Sequence, residues 1–357
     1  MIAAVGRLLN MGTMNQKFRN ILIIKPGAMG DLLQMTPVLR ALKMKLPEAR
    51  ISILVGNAPS VDLFRHHPLV HETIVFDKGR EHRSLSALFK LWRCLRGGRY
   101  DLVLNFQRSN LKAWFLASAA FPCRVLVYNK ARGRTVHAVV NHLETLGRLG
   151  ISPSDVEERL ELFLGDEALR QAQELFRLNG FSGKRVVALN PGASNLIKCW
   201  STGQFALLGD RLAAEMGVKV AIVGGGGERE LAQEICAGMR HKPLDLVGKT
   251  TMLQLGAVLS RCALLVSGDT GPLHMATAVG TPVVALFGAI EPARTGPVGE
   301  GHRVIRHAEI NCVPCNARKC GNPRYLECME RISVDEVFAA VAQVLAEGEP
   351  EVAKCGS

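Results

Sequence analysis

The run Ile21-Leu22-Ile23-Ile24-Lys25-Pro26-Gly27-Ala28-Met29-Gly30-Asp31-Leu32 carries the first fold signal of this chain. Four consecutive large apolar residues read as a strand buried on both faces, and the glycines that follow shape a tight turn. Asp31 then opens a helix over 31–46, with apolar spacing at Leu32, Leu39, Leu42 and Leu46. Outward from this run, 51–55 and 73–76 are short apolar strands, 84–95 is helical and 102–104 is another strand. Continuous apolar strands separated by helices imply a parallel sheet covered on both faces. The right-handed crossover rule makes that sheet doubly wound.

The alternation restarts after residue 165. Strands are expected at 186–189, 218–223, 263–266 and 282–286. Helices are expected at 167–178, 203–216, 228–239 and 252–260, and from Thr270 onward. The fold class is therefore α/β, with two doubly wound, Rossmann-like domains facing a central cleft. We place the first domain at 20–165 and the second at 166–348, behind a disordered leader at 1–19, with the last helix packing back on the first domain. Ligands of such sheets lie outside the carboxyl ends of the strands, so the residues that follow strands are the ones to read for chemistry.

Composition sets the frame for that reading. The 357 residues are 48% apolar and 21% charged, which excludes disorder over most of the length. No apolar run approaches the roughly 18 residues of a membrane-spanning helix, and the opening Met1-Ile2-Ala3-Ala4-Val5 lacks a signal pattern. A cytoplasmic protein is expected. The net charge of +12 is unevenly spread: residues 1–160 hold 24 Lys+Arg against 11 Asp+Glu, and residues 161–357 hold 20 against 21. The basic first half suits a polyanion or an anionic surface. Nucleic acid is disfavoured by the 5% aromatic content and by the absence of a recognisable binding motif.

Four stretches carry chemistry. Val266-Ser267-Gly268-Asp269-Thr270-Gly271-Pro272-Leu273-His274 runs from a strand into a helix N-terminus, whose free N–H groups suit a phosphate. His274, four residues after Thr270, returns to the same helix face. Asn190-Pro191-Gly192-Ala193-Ser194 is a second phosphate-friendly turn, followed by Lys198 as a point charge for a diphosphate. Gly224-Gly225-Gly226-Gly227-Glu228 matches no dinucleotide fingerprint. There Glu228 either bonds a ribose diol or simply favours the helix dipole. Asp31 is a carboxylate at a helix N-terminus facing the cleft, a placement the dipole favours by about 0.3–1 kcal/mol.

Together these residues resemble glycosyltransferase family nine, the heptosyltransferases of lipopolysaccharide inner-core assembly. Two signatures carry the resemblance: Pro26 to Leu32 with Thr36-Pro37-Val38-Leu39, and Gly268 to His274 with Gly280-Thr281-Pro282. The resemblance implies a two-domain GT-B fold, with acceptor on the first domain and sugar nucleotide on the second. It implies Asp31 as general base and Lys198 on the donor phosphates, with Ser194 in the turn before it. It further implies Glu228 at the adenosine ribose, and Asp269, Thr270, Gly271 and His274 around the donor sugar and pyrophosphate. Ala193 departs from the pattern, because a second hydroxyl often stands there. ADP-heptose is the implied donor, and an anionic lipid A–Kdo glycolipid the implied acceptor.

The expected reaction is transfer with inversion, with no metal required and with peripheral contact at the cytoplasmic face of the inner membrane. Arg108, Lys112, Arg132 and Arg134 are the acceptor-side candidates, since they lie in or beside loops after first-domain strands. The rivals are another nucleotide-sugar enzyme of the same architecture, such as an epimerase, and a non-catalytic two-lobed nucleotide- or phosphoglycan-binding protein.

The ten cysteines, in a chain read as cytoplasmic, are expected to be reduced. Six are scattered and read mostly as small core residues. Cys312, Cys315, Cys320 and Cys328 cluster with spacing C-x2-C-x4-C-x7-C. We read the cluster as reduced thiols in a packed loop, with a structural four-thiolate zinc site as the less favoured alternative.

Overall fold

The computed structural model describes residues 18–107, 110–129 and 134–348. The expected leader lies almost wholly outside them, as do Arg108, Arg132 and Cys355. The chain forms two parallel sheets. The first has strands β1 Asn20–Ile24, β2 Arg50–Val55, β3 Glu72–Val75, β4 Leu102–Asn105 and β5 Arg124–Val127, in the order β3-β2-β1-β4-β5. The second has β6 Val186–Asn190, β7 Lys219–Ile222, β8 Leu244–Asp245, β9 Leu264–Gly268, β10 Val283–Leu286 and β11 Arg303–Ile305, in the order β11-β10-β9-β6-β7-β8. Register follows the apolar runs, with Ile21 opposite Ile51 and Leu102, and Val187 opposite Val220 and Leu264.

The central strands are sealed on both faces: Ile21 to Ile24 and Val187 to Leu189 have no measurable exposure. Each sheet reverses its strand order once, beside β1 in the first and between β6 and β9 in the second. Crevices open at such reversals, outside the carboxyl ends of the strands. The motifs around Lys25, Lys198 and Asp269 all leave strands there.

The helix expected over 31–46 is broken into Met29–Leu33 and Thr36–Lys45. Pro37 has no N–H to offer the carbonyl four residues back, and the Thr36 hydroxyl donates to that Leu33 carbonyl at 2.7 Å instead. The break leaves Gln34, almost fully buried, facing the other half. The last helix, Val334–Glu347, corrects a second expectation. Its buried face of Val337, Val341, Val344 and Leu345 joins the core of the second sheet, packing on β9, β10 and β11 rather than on the first half.

Close backbone approach joins the halves. A Cβ on Gly30 would stand 2.6 Å from His274 Cδ2, and one on Gly271 would stand 2.2 Å from Met29 Cε, so helices Met29–Leu33 and Gly271–Ala278 meet through two glycines. Below them the connecting segment is strapped to the first half. Arg40 pairs with Glu161 at 2.9 Å, and Thr36 Oγ1 accepts from the Glu161 amide at 3.1 Å. Leu162 and Leu164 then pack over Gly256. Among the described residues no helix is long and apolar enough to cross a membrane.

Candidate active site

Loops after β1, β5, β6, β9 and β10 enclose a cavity of about 450 Å³ between the two sheets. Its first-half wall carries Lys25, Asp31, Tyr128 and His142, and its second-half wall carries Lys198, Asp269 and Arg294.

Asp31 stands in the first turn of helix Met29–Leu33 and is exposed. Among the described residues no hydrogen bond or ion pair engages its carboxylate. The turn holds it close, since a Cβ on Gly27 would lie 3.1 Å from Asp31 Oδ2. Behind it Lys25 is buried, with Nζ 3.1 Å from His142 Nε2 and about 6 Å from the Phe106 and Tyr128 ring centres. Burial lowers the Lys25 pKa, and the Asp31 charge opposes that shift. Burial first and Lys25 second hold His142 down to about 3. Neutral His142 therefore donates through Nδ1 to the Gln34 carbonyl at 3.3 Å and accepts from Lys25 at Nε2, the tautomer following from its partners.

The second-half wall is organised around one tight pair: Lys198 Nζ lies 2.6 Å from Asp269 Oδ2 and 3.4 Å from the Asp269 carbonyl. Asn195 builds the turn that presents Lys198, accepting from the Ile197 amide at 3.3 Å and donating to Arg318 O at 2.9 Å. Gly268 is required at the strand end, because a Cβ there would meet Lys198 O at 2.6 Å. Thr270 is the N-cap residue of helix Gly271–Ala278, with its hydroxyl 3.0 Å from Ser267 Oγ. His274 lies buried one turn on, 3.8 Å from Asp269 Oδ1 and 3.4 Å from Gln34 Nε2. Burial holds His274 down to about 4, against the pull of Asp269.

Glu228 sits farther along the carboxyl edge, after β7. Its Oε2 accepts from the Gly225 amide at 2.8 Å, and burial raises its pKa against that bond. Two glycines make room for it: a Cβ on Gly192 would fall 2.2 Å from Glu228 Cδ, and one on Gly224 would fall 2.0 Å from Oε2. Strand order β9-β6-β7 thus sets Asp269, Lys198 and Glu228 in a row. Ser194 is exposed on the turn after β6.

The structure separates the acceptor-side candidates. Arg134 lines the cavity, and its Nη2 donates to both Glu144 carboxylate oxygens at 2.7 and 2.8 Å. Lys112 lies elsewhere, with Nζ 3.4 Å from the His82 carbonyl and its stem on a separate apolar groove. Arg108 and Arg132 fall outside the described residues. Sequence reading gave no role to Lys25, Tyr128, His142 or Arg294. Lys25 was findable as the first residue beyond β1.

A larger cavity, about 600 Å³, surrounds Cys312, Cys315, Cys320 and Cys328. It lacks a carboxylate–lysine pair, so the chemistry directs attention to the smaller one. The Leu326 amide donates to Cys320 Sγ at 3.3 Å, and Asn322 Nδ2 donates to Cys312 Sγ at 3.5 Å. All cysteines among the described residues are free thiols. Among those residues no group of three or more His, Cys, Asp or Glu is placed to hold a metal ion. The loop braces the site through the Asn195–Arg318 bond and an Asn316 amide bond to Ala289 O at 2.8 Å. The scattered cysteines correct expectation: among the described ones only Cys262 is buried, Cys94 is exposed, and Cys123, Cys199 and Cys236 are half-buried.

Comparison with known proteins agrees with this architecture. Lipopolysaccharide heptosyltransferase 3 of Escherichia coli is 26% identical over 339 residues, spanning 88% of this chain and 96% of that protein. A family 9 glycosyltransferase structure from Veillonella parvula matches with a TM-score of 0.81 at 26% identity, covering 94% of this chain and 99% of that one. The structure of E. coli ADP-heptose LPS heptosyltransferase II shares the fold, with a TM-score of 0.76 at 23% identity over 93% and 100% of the two chains. The profile described as glycosyltransferase family 9 (heptosyltransferase) matches residues 88–326. With its two facing parallel sheets in the GT-B arrangement, this chain belongs to glycosyltransferase family 9.

Proposed function

We propose that this enzyme transfers a heptose, with inversion, from ADP-heptose to the inner core of a lipopolysaccharide acceptor. The observation that carries the reading is a single cavity receiving an unengaged carboxylate, Asp31, from one half and the Lys198–Asp269 pair from the other. An acceptor hydroxyl oxygen attacks the anomeric carbon, the bond from that carbon to the phosphate oxygen breaks, and Asp31 takes the hydroxyl proton. Base catalysis of this kind contributes about 10²–10⁴-fold. Lys198 has three donors, so its ammonium serves both Asp269 and the departing ADP, whose charge grows in the transition state. The Thr270–Gly271 helix N-terminus adds backbone N–H groups. His274 supports that turn from behind, and Ser194 borders it.

The row Asp269, Lys198, Glu228 suits a ligand laid along the edge, with sugar, diphosphate and ribose in that order. Residues 166–348 form the donor domain in this reading. Residues 20–165 form the acceptor domain, with Arg134 as a cavity-side cation for a Kdo carboxylate or a phosphate. The acceptor is a lipid A–Kdo type glycolipid, so the enzyme works in peripheral contact with the cytoplasmic face of the inner membrane. Lysine and helix dipole carry the leaving-group charge, and the step calls on no metal.

The test is a transfer assay with purified protein, offering several nucleotide sugars against inner-core acceptors and weighing the products. Gain of one heptose from ADP-heptose supports the reading. Transfer of a different sugar, or donor turnover without an acceptor product, overturns it.

A further inference from the structure

Helices Leu85–Gly97 and Leu111–Ser118 lie side by side on the outer layer of the first sheet. Their inner faces, including Leu88, Leu91, Leu95 and Leu116, complete a core cluster. Large apolar side chains also crowd their outer surface: Leu85 and Leu111 are 83% and 84% exposed, and Phe89 is 52% exposed. Phe89 stacks on Trp92 at 5.6 Å, and Trp92 tilts against Phe115 at 6.3 Å, so the patch is one continuous aromatic face. Leu85, Phe89, Leu111 and Phe115 border a groove of about 410 Å³. Contiguous apolar patches on a soluble surface mark interaction sites.

Its rim is basic. Residues 78–99 contain seven Lys+Arg and one acid, Glu81, with Lys90 and Arg93 exposed on the same helix as Phe89. Both helices follow the carboxyl ends of their strands, β3 and β4, so Leu85 and Leu111 stand on the edge of the sheet that faces the cleft. Self-pairing would set two such basic rims against each other, whereas an anionic surface neutralises them.

We propose that this face seats the first half on an anionic phospholipid bilayer. Leu85, Phe89, Leu111 and Phe115 enter the boundary between headgroups and acyl chains, Trp92 and Trp114 lie at headgroup level, and Lys90 and Arg93 meet lipid phosphates. The inference rests on the reading that the acceptor is a membrane glycolipid, and it assigns the surface that brings the cleft to that membrane.

The experiment uses the full chain with vesicles of phosphatidylglycerol and phosphatidylcholine, against phosphatidylcholine alone, with neither donor nor acceptor present. Of the three tryptophans, Trp92 lies in the face and Trp114 is part-exposed on helix Leu111–Ser118, while Trp200 is buried in the second half and donates to Ile332 O at 2.9 Å. Anionic vesicles should therefore shift tryptophan emission to the blue, and bromine-labelled acyl chains should quench it. Leu85→Ser/Leu111→Ser should weaken vesicle binding about tenfold or more, since two exposed leucines lose their burial in lipid. Lys90→Glu/Arg93→Glu should weaken it comparably and remove its salt dependence. Both variants should keep wild-type transfer to a deacylated, water-soluble acceptor. Absence of vesicle binding overturns the proposal, as does binding that the leucine variant leaves unchanged. So does light scattering that shows the wild type dimeric, and the leucine variant monomeric, with vesicle binding intact. Failure of transfer to the soluble acceptor overturns the heptosyltransferase reading alone, because the vesicle measurement does not involve transfer.

Discussion

The turn after β1 and the turn after β9 are built alike, each carrying a parallel strand through glycine into a helix N-terminus with an aspartate beside it. Their aspartates differ in company. Asp269 is 8% exposed and gives one oxygen to Lys198 at 2.6 Å. Asp31 is exposed, and no described residue engages its carboxylate. A base must keep a lone pair free for the incoming proton, whereas a carboxylate that orients a lysine must give its lone pair away. One local motif, used twice, thus presents two carboxylates in different company, and under the proposed function the partner supplied from another loop separates their roles.

The largest effect that would test this contrast is on turnover. Asp31→Asn should cut kcat by about 10²-fold or more, the usual loss when a general base is removed. Its ADP affinity by calorimetry should stay within a few-fold of wild type, and wild-type turnover would erase the contrast. Lys198→Ala should act on the other side of the cleft, weakening ADP binding by about 10–100-fold, as expected for a lost charged hydrogen bond. Unchanged ADP affinity would remove Lys198 from the phosphate site and leave it as a partner of Asp269.

The two halves also share a device, a buried neutral histidine at the cleft, and the first half buries a second one away from it, His67, which burial and Arg40 hold down to about 4. His142 is held to about 3 and His274 to about 4, against 6.5 in an unfolded chain. As pH falls through about 6.5 the unfolded chain takes up these protons first. The stability contribution is therefore complete above that pH and is lost toward pH 4, by up to about 1.4 kcal/mol per pH unit for each histidine. Urea melts at pH 7.5 and pH 5 check this, and His142→Gln should reduce the difference by the share of one histidine. Equal stability at the two pH values would contradict neutral burial.

The smallest expected effect follows from the charge split, with 24 Lys+Arg against 11 Asp+Glu in residues 1–160 and 20 against 21 beyond. Raising salt should increase the KM for an anionic acceptor a few-fold, because exposed charges are screened beyond about 8 Å at physiological ionic strength. The donor KM should move less, since in the proposed site its phosphates meet backbone dipoles and a part-buried lysine. Equal salt dependence would detach the basic half from the acceptor.

Much of this was legible in sequence. The strand runs at Ile21 and Val187 gave both sheets, and the turns at Asp31, Lys198 and Asp269 lie at the cleft. What escaped was short or long-range. Strand β5 has four residues and helix Ala138–Leu143 has six, too few for a period to stand out, yet they bring Tyr128 and His142 to the cavity. The Lys25–His142 contact spans 117 residues of chain, and no local pattern encodes it. The helix break was written in Pro37, but the leucine spacing across it is continuous and masked it. Charge and a place beside the loop after β4 nominated Lys112, whereas the structure sets its stem on the apolar groove between two helices.

The anomeric configuration of the transferred sugar tests the central claim most directly. Asp31 and the Lys198–Asp269 pair reach the cavity from opposite halves. Under the proposed roles, a hydroxyl activated at Asp31 meets the anomeric carbon on the face away from the leaving ADP. Nuclear magnetic resonance of the purified product should show the configuration inverted relative to the donor in a single displacement. A product of retained configuration would require a second displacement or a different attacking face, and would contradict the roles assigned to the two aspartates.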